Sequence, residues 1–201
     1  FKTSYGSFSC RHEIDGKAIA HIDKNGSFME SELALMRMFI GHDDEIVDAG
    51  ANIGGFTIPF SRFAQKVHAF EPIPETADHL EYNLAQNNST NVVMHRVGLS
   101  DVAGILYPHR APDAGSTSLG VTQKKESKDA VPVTTLDECF GPTKISFIKI
   151  DVEGMEASVI RGGQKLIATS RPVVFFEIQK ENMRTHETSF ASLARLFPRY
   201  S

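Results

Sequence analysis

Residues 45–56, EIVDAGANIGGF, decide the fold of this chain. A short apolar run ends at Asp48, and a helical pattern follows a few residues later. Between them lie Gly50, Asn52 and Gly54, which predict a tight turn between a strand and the N-terminus of a helix. Backbone N–H groups in such a turn can approach a ligand closely, so the stretch predicts a site for a nucleotide-type cofactor.

Strand-like and helix-like segments alternate from this stretch onward. The predicted strands cover residues 46–48, 67–71, 92–97, 145–151 and 173–178, and the predicted helices cover 54–65, 75–87, 157–169 and 190–197. This alternation predicts an α/β fold with a mostly parallel sheet and helices on both faces. Ligands of such sheets bind beyond the carboxyl ends of the strands, so polar residues that follow a strand are the candidates for chemistry.

Two segments depart from the alternation. Residues 1–44 form a lead-in, with a predicted strand pair over 14–22, a helix over 30–40 and a turn at 41–44. Residues 101–135 are polar and turn-rich, with short strand-like pieces at 104–107 and 130–134. We interpret residues 1–201 as a single domain, in which residues 45–201 form the cofactor-binding core.

Composition narrows the classes of function. The chain has 201 residues, 41% of them hydrophobic, which suffices for the core of one domain. Its net charge of −4 does not favour nonspecific binding to nucleic acid or to an anionic membrane. The two cysteines form no CxxC pair, which indicates a reducing, cytoplasmic setting. No apolar run approaches the roughly 20 residues of a membrane span.

The glycine turn distinguishes between two classes of cofactor. In the dinucleotide fingerprint G-x-G-x-x-G, the middle glycine lets the backbone approach a pyrophosphate, and here that position is Asn52. The pattern D-x-G-x-N-x-G instead resembles motif I of the class I S-adenosylmethionine (SAM) methyltransferases. Glu71 ends the second predicted strand, where a carboxylate can accept hydrogen bonds from both ribose hydroxyls of either cofactor.

Polar residues also follow the later strands. Ser100 and Asp101 follow the third strand, where an acid can accept from an adenine amino group, although Ser-Asp is also a common turn. Lys149 and Asp151 share one face of the fourth strand, and a buried lysine is costly unless it is paired. Glu153 and Glu156 can be explained as charge compensation at a helix N-terminus.

Taken together, these segments resemble the FkbM-type methyltransferases. The resemblance covers about residues 28–178 and rests on DAGANIGGF at 48–56, FEP at 70–72, GLSD at 98–101, IKIDVEGME at 148–156 and IRGG at 160–163. It implies a Rossmann-like sheet, SAM as the methyl donor, and O-methylation of a hydroxyl on a sugar, a natural product or another small molecule.

The resemblance also implies roles for individual residues. It assigns the cofactor loop to Asp48, Gly50, Asn52 and Gly54, the ribose to Glu71, the adenine region to Ser100 and Asp101, and the methionine part and reacting centre to Asp151. Glu30 resembles an acid that precedes the core in this family and reaches the methionine amino group. Asn83 is interpreted as a helix residue that supports the loops.

Methyl transfer to a hydroxyl benefits from a general base. The candidates are Asp151, Glu153, Glu177, His109 and His186. His109 lies in segment 108–123, which is long enough to form a lid or an acceptor loop. A less favoured alternative is Mg²⁺ held by Asp151, Glu177 and Glu153, because the first two end adjacent strands.

Two other functions remain open on the sequence. One is an NAD(P)-dependent oxidoreductase, against which Asn52 and the absence of a Tyr-x-x-x-Lys pair count. The other is a catalytically silent SAM-binding interaction module. Two departures from the family pattern also lead to expectations. Pro59 is expected to remove a donor and to kink its helix, and the terminal β-hairpin of the fold is expected to be absent or truncated.

Overall fold

The computed structural model describes residues 2–3, 5–9, 30–110, 117–120, 130–178 and 189–197. For residues 108–110 and 117–120, only the backbone is described. The strand pair predicted over 14–22 lies outside the described residues, as does His186.

A sheet of five parallel strands forms the centre of the fold and confirms the predicted α/β class. Each strand overlaps the segment from which it was predicted. The strands predicted over 92–97, 145–151 and 173–178 are shorter by two or three residues, the one over 67–71 is shifted by one residue, and the one over 46–48 is longer by one residue at each end. In spatial order the strands are β11 (Val173–Phe176), β10 (Phe147–Ile150), β3 (Glu45–Ala49), β4 (Lys66–Phe70) and β5 (Val92–His95).

Helices cover both faces of this sheet, as predicted. They are α1 (Glu30–Arg37), α2 (Thr57–Ser61), α3 (Pro74–Gln86), α4 (Leu136–Phe140), α5 (Glu156–Arg161), α6 (Gln164–Ser170) and α7 (Phe190–Ala194). Apolar side chains of α4 to α7 pack on one face, and those of α1 to α3 pack on the other. None of the helices built from described residues combines the length and apolar character needed to cross a bilayer.

The turn-rich segment forms a second sheet of four strands. Its strands are β6 (Gly98–Leu99), β9 (Val131–Thr134), β7 (Gly104–Arg110) and β8 (Thr117–Gly120), in that spatial order. The short strands predicted at 104–107 and 130–134 are therefore present, and they pair with each other in antiparallel fashion. A small hairpin of β1 (Lys2–Thr3) and β2 (Gly6–Ser7) precedes the core.

Two predicted helices differ from the structure by more than their end residues. The helix over 54–65 begins only at Thr57, because the turn before it continues through Gly54, which has φ +100°. Pro59 is therefore the third helical residue, where a backbone N–H has no acceptor within the helix. The helical hydrogen bonding continues past Pro59, since the Phe60 amide donates to the carbonyl of Phe56 at 2.9 Å.

The helix predicted over 157–169 is divided into α5 and α6. The division falls at Gly162 and Gly163, which lie between the two helices. A Cβ on Gly162 would lie 2.0 Å from the carbonyl oxygen of Ser100, so the chain passes too close to that strand end for any other residue. The break between α5 and α6 therefore lies against Ser100, one of the candidate site residues.

The glycine turn after β3 is fixed by the neighbouring strand. The amides of Gly50 and Ala51 both donate to the carbonyl of Phe70, at 3.1 Å and 3.0 Å. Gly50 has φ +79°, and a Cβ there would lie 1.8 Å from the carbonyl oxygen of Asp151. Glycine is required at this position both by the backbone conformation and by the contact with the end of β10.

Replacing Gly50 by alanine is therefore expected to destabilise the fold strongly. The backbone strain and the overlap with Asp151 together should lower the free energy of unfolding by about 3 kcal/mol or more. Urea denaturation followed by circular dichroism measures this change.

Gly104→Ala provides the matched control. Nothing lies within 4 Å of a Cβ on Gly104. Its unfolding free energy should stay within about 0.5 kcal/mol of the wild type. Equal stabilities of the Gly50 and Gly104 variants would contradict the close approach of the turn to Asp151.

Candidate functional site

The carboxyl ends of β3, β4 and β10 bring three acidic side chains to one edge of the central sheet. Asp48 lies in β3, Glu71 directly follows β4, and Asp151 directly follows β10. The strand register places Asp48 opposite Lys149 of β10. The residues assigned to the cofactor loop, ribose and methionine regions therefore lie on three neighbouring strands.

Lys149 is the buried cation at this edge. Its side chain is 4% exposed, and its Nζ donates a hydrogen bond of 3.0 Å to the carbonyl of Gly50. The same Nζ lies 3.1 Å from Asp48 Oδ1 and 3.6 Å from Asp151 Oδ2. Burial acts to lower the pKa of Lys149, but the two carboxylates outweigh it and raise that pKa, so the lysine is protonated.

Asp48 is completely buried beneath the glycine turn. Its Oδ2 accepts a hydrogen bond of 2.6 Å from the Thr57 hydroxyl. Its Oδ1 accepts no aligned hydrogen bond although Lys149 Nζ is 3.1 Å away, so that contact is electrostatic. Asp48 is thus held by the first turn of α2 and by β10, and it fixes the floor of the loop.

Glu71 holds the glycine turn from the other side. It is buried, and its two carboxylate oxygens accept backbone hydrogen bonds from Asn52 and Ile73, each 3.0 Å long. Burial raises the pKa of Glu71 to about 7, against the lowering effect of these two N–H groups. Each oxygen retains a lone pair that can accept from a ligand hydroxyl.

Ser100 and Asp101 lie at the end of β6 and are fixed by two elements. The Ser100 amide donates to the carbonyl of Thr134 at 2.9 Å, and its hydroxyl lies 3.2 Å from Asp101 Oδ1. Arg161 of α5 lies 3.4 Å from Asp101 Oδ2. Ser100 is buried and Asp101 is exposed, so the acid faces outward from an anchored turn.

The segment after β10 is a strained turn. Glu153 has φ +52° and Gly154 has φ +105°. The Glu156 carboxylate accepts from the amides of Gly154 and Val152, at 3.0 Å and 3.4 Å. This supports the simpler interpretation of Glu156 as a residue of the helix start, while the Asp151 side chain stays 27% exposed.

The remaining candidates occupy separate positions. Glu177 follows β11, and its amide donates to the carbonyl of Ile150 at 3.1 Å, so it ends the strand next to that of Asp151. Glu30 is the exposed first residue of α1. His109 lies in β7, where the backbone pairs it with Ser118. No group of three or more His, Cys, Asp or Glu side chains in the described parts of the chain could hold a metal ion.

The sequence did not reveal two supporting contacts. One is the Thr57 hydroxyl on Asp48, since a threonine at a helix start is too common to indicate a partner. The other is the identity of the partners of Asn83. The residue was correctly interpreted as a helix residue that supports loops, but the segments that it contacts were not predicted. Its amide nitrogen donates to the carbonyls of Ile53 and Ser9, at 2.9 Å and 3.0 Å, and its oxygen accepts from the Ser9 amide.

A second polar chain, also missed from sequence, crosses the opposite face of the sheet. Glu45 Oε1 lies 2.6 Å from His68 Nε2, and His68 Nδ1 lies 3.0 Å from His95 Nε2. The His95 ring stacks on Phe70 at 4.3 Å. Burial, together with the neighbouring His68, lowers the pKa of His95 and favours its neutral form. His68 interrupts an apolar strand, and that interruption was the available signal.

Comparison with known proteins identifies a family and several relatives of this chain. The family model described as methyltransferase FkbM domain matches residues 48–200. Methyltransferase 1 of Beauveria bassiana is 30% identical over 145 residues, which cover 60% of this chain and 58% of that protein. Hexuronic acid methyltransferase AglP of Haloferax volcanii is 33% identical over 125 residues, which cover 60% of this chain and 50% of that protein.

A solved structure is similar in fold. The crystal structure of methyltransferase FkbM from Methylobacillus flagellatus KT superposes with a TM-score of 0.56 and 19% identity, covering 80% of this chain and 39% of that chain. This likeness supports the Rossmann-like methyltransferase fold. The chain spans between half and three fifths of the length of the two curated relatives.

Replacing Asn83 by alanine is expected to release both segments that it joins. The change removes these hydrogen bonds from the buried carbonyl of Ile53 and from the half-buried backbone of Ser9. The free energy of unfolding should fall by about 2–4 kcal/mol, and the Ser9 amide should exchange its hydrogen faster. Urea denaturation and hydrogen exchange measure these two effects.

Gln86→Ala on the same helix is the control, because Gln86 is exposed. It should change the unfolding free energy by less than about 0.5 kcal/mol. An Asn83 variant as stable as this control would show that the amide does not hold the loop.

Proposed function

Since the chain belongs to the FkbM family of methyltransferases, we propose that it binds SAM and transfers the methyl group to a hydroxyl of a small-molecule acceptor. The observation that carries the proposal is the buried carboxylate of Glu71 beside the glycine turn. A carboxylate at the end of this strand suits the paired hydroxyls of a ribose.

The charges at the edge of the sheet support SAM over a dinucleotide. Asp48, Glu71 and Asp151 are acidic. Lys149 lies among them and forms ion pairs with Asp48 and Asp151. A pyrophosphate would be repelled by this negative charge. A sulfonium and an ammonium group, both carried by SAM, are attracted to it instead. Asn52 takes a left-handed conformation with φ +50° and donates its amide to Glu71, which leaves that amide unable to face a phosphate.

The proposed contacts follow the positions of the residues around the turn. Glu71 accepts from the ribose, and the backbone of Gly50, Asn52 and Gly54 lies under it. The adenine region is assigned to Ser100 and Asp101, and the methionine part to Asp151. Glu30 is proposed for the amino group of the methionine part, from its place at the start of α1.

SAM supplies a methyl group on a positively charged sulfur, which is a good leaving group. The protein chiefly aligns the acceptor oxygen with that carbon, and a base helps by removing the proton of the hydroxyl. We propose Asp151, Glu153, Glu177 and His109 as the candidates for that base. Asp151 and Glu177 end adjacent strands, so a hydroxyl placed between those two strand ends meets an acid from either side.

The acceptor is proposed to be a sugar or another hydroxyl-bearing small molecule. The relative from Haloferax volcanii is named for a hexuronic acid, which supports a carbohydrate acceptor. S-adenosylmethionine and the acceptor are the partners of this proposal.

Binding of S-adenosylhomocysteine (SAH) should tighten as the pH rises from 6 to 8. Glu71 has a raised pKa of about 7, and its ionised form is the better acceptor for two hydroxyls. The ionised fraction rises from about 0.1 to about 0.9 over this range, so the dissociation constant should fall about tenfold. Isothermal titration calorimetry at several pH values measures it.

Glu71→Gln separates this effect from titration of the ligand itself. The SAH affinity of Glu71→Gln should be lower than that of the wild type and should show only the ligand's own pH dependence. Glu71→Ala should bind SAH at least about tenfold more weakly than the wild type at pH 8. The exposed Glu75→Gln should follow the wild type. Wild-type protein that binds no SAH would refute the cofactor, and identical pH profiles for wild type and Glu71→Gln would refute the role of Glu71.

Methyl transfer itself is tested with SAM carrying a labelled methyl group. Incubation with pools of sugars, glycosides and hydroxylated natural products should give a labelled methyl ether, identified by mass spectrometry and by its resistance to mild base. A labelled ester or amine would refute O-methylation of a hydroxyl. Tight binding of SAM without a labelled product in any pool would favour a silent binding module.

A further inference from the structure

The buried Lys149 has no assigned task in the proposed reaction, although it contacts three parts of the site. Its Nζ lies within 3.0 Å of the Gly50 carbonyl in the turn, 3.1 Å of Asp48 in β3 and 3.6 Å of Asp151 after β10. The Phe56 ring covers it at 5.0 Å. One side chain therefore connects the turn, the floor of the site and the acid assigned to the methionine part.

The two carboxylates around Lys149 are not equivalent. Asp48 is fully buried and has a second donor in Thr57. Asp151 is partly exposed, and its side chain forms an ion pair with Lys149. One positive charge is thus paired with two negative ones, so the three groups together carry a net negative charge. Asp151 is the exposed member of this group.

We propose that Lys149 is a positioning residue that orients the Asp151 carboxylate toward the amino-acid part of SAM. The lysine draws one oxygen of Asp151 inward, which leaves the other for a ligand cation. The turn itself is also held by the amides of Gly50 and Ala51 on the Phe70 carbonyl and by the Asn52 amide on Glu71. This inference rests on the proposed binding of SAM and adds the residue that sets the geometry of its charged end.

A purely structural role has a different consequence. Replacing a buried ion pair by neutral groups of similar volume is often harmless to stability, whereas removing one partner leaves a buried charge and is damaging. If Lys149 served stability alone, removing the charges of Lys149 and Asp48 together would restore both the fold and the ligand affinity. Under the proposal, that double change restores stability but not the binding of the amino-acid part.

The test uses Lys149→Met and the double variant Asp48→Asn/Lys149→Met. Urea denaturation without ligand should give a lower midpoint for the single variant and at least half recovery for the double variant. Calorimetry at pH 8 then compares SAH with 5′-methylthioadenosine, which keeps the adenine, ribose and sulfur but lacks the charged amino-acid group. The exposed Lys165→Met makes the same chemical change away from the site and is the control.

The expected result for the double variant is an SAH affinity at least tenfold weaker than that of the wild type. Its affinity for methylthioadenosine should stay within about twofold. An equal loss for both ligands would overturn the inference, because it would indicate a distorted turn. Wild-type affinity for SAH in the double variant would overturn it as well. Wild-type protein that binds neither ligand would instead overturn the proposed cofactor and this inference with it.

Discussion

The contact between Lys149 and Asp48 is the constraint on which the site depends. It joins β10 to β3 inside the protein, at the level where the glycine turn leaves the sheet. A buried charge without a partner is strongly unfavourable, so neither residue can be removed alone without cost. Because Lys149 also donates to the Gly50 carbonyl, the pair contacts the turn as well as both strands.

Backbone contacts also hold the glycine turn in place. The turn passes so close to Asp151 that only glycine fits at position 50, and two of its amides share the carbonyl of Phe70. Glu71 then accepts the Asn52 amide from the opposite side. The three strand ends are therefore linked through the turn itself, and a ligand above it meets groups whose positions are already set.

Much of this arrangement was predictable from the sequence, because apolar strands with a polar residue at the carboxyl end give a strong local signal. The parallel sheet, the glycine turn and the burial of Lys149 followed from such patterns. The Thr57 hydroxyl on Asp48 was not predictable, since a threonine at a helix start is too common to indicate a partner. The break at Gly162 was not predictable, since it depends on Ser100, which is distant in the chain. The effect of Pro59 depends on where the helix begins, and the sequence placed that start three residues too early.

The two faces of the sheet carry polar groups of opposite character. The face with Asp48 and Lys149 ends in a net negative charge at the carboxyl edge, which suits a positively charged ligand. On the other face, the chain through His68 and His95 ends against the Phe70 ring, and burial keeps His95 neutral. A protonated His95 would add a positive charge to the strand pair at Phe70, the residue before Glu71. A neutral His95 therefore adds no positive charge beside the acidic groups of the carboxyl edge, in line with the proposed binding of a sulfonium.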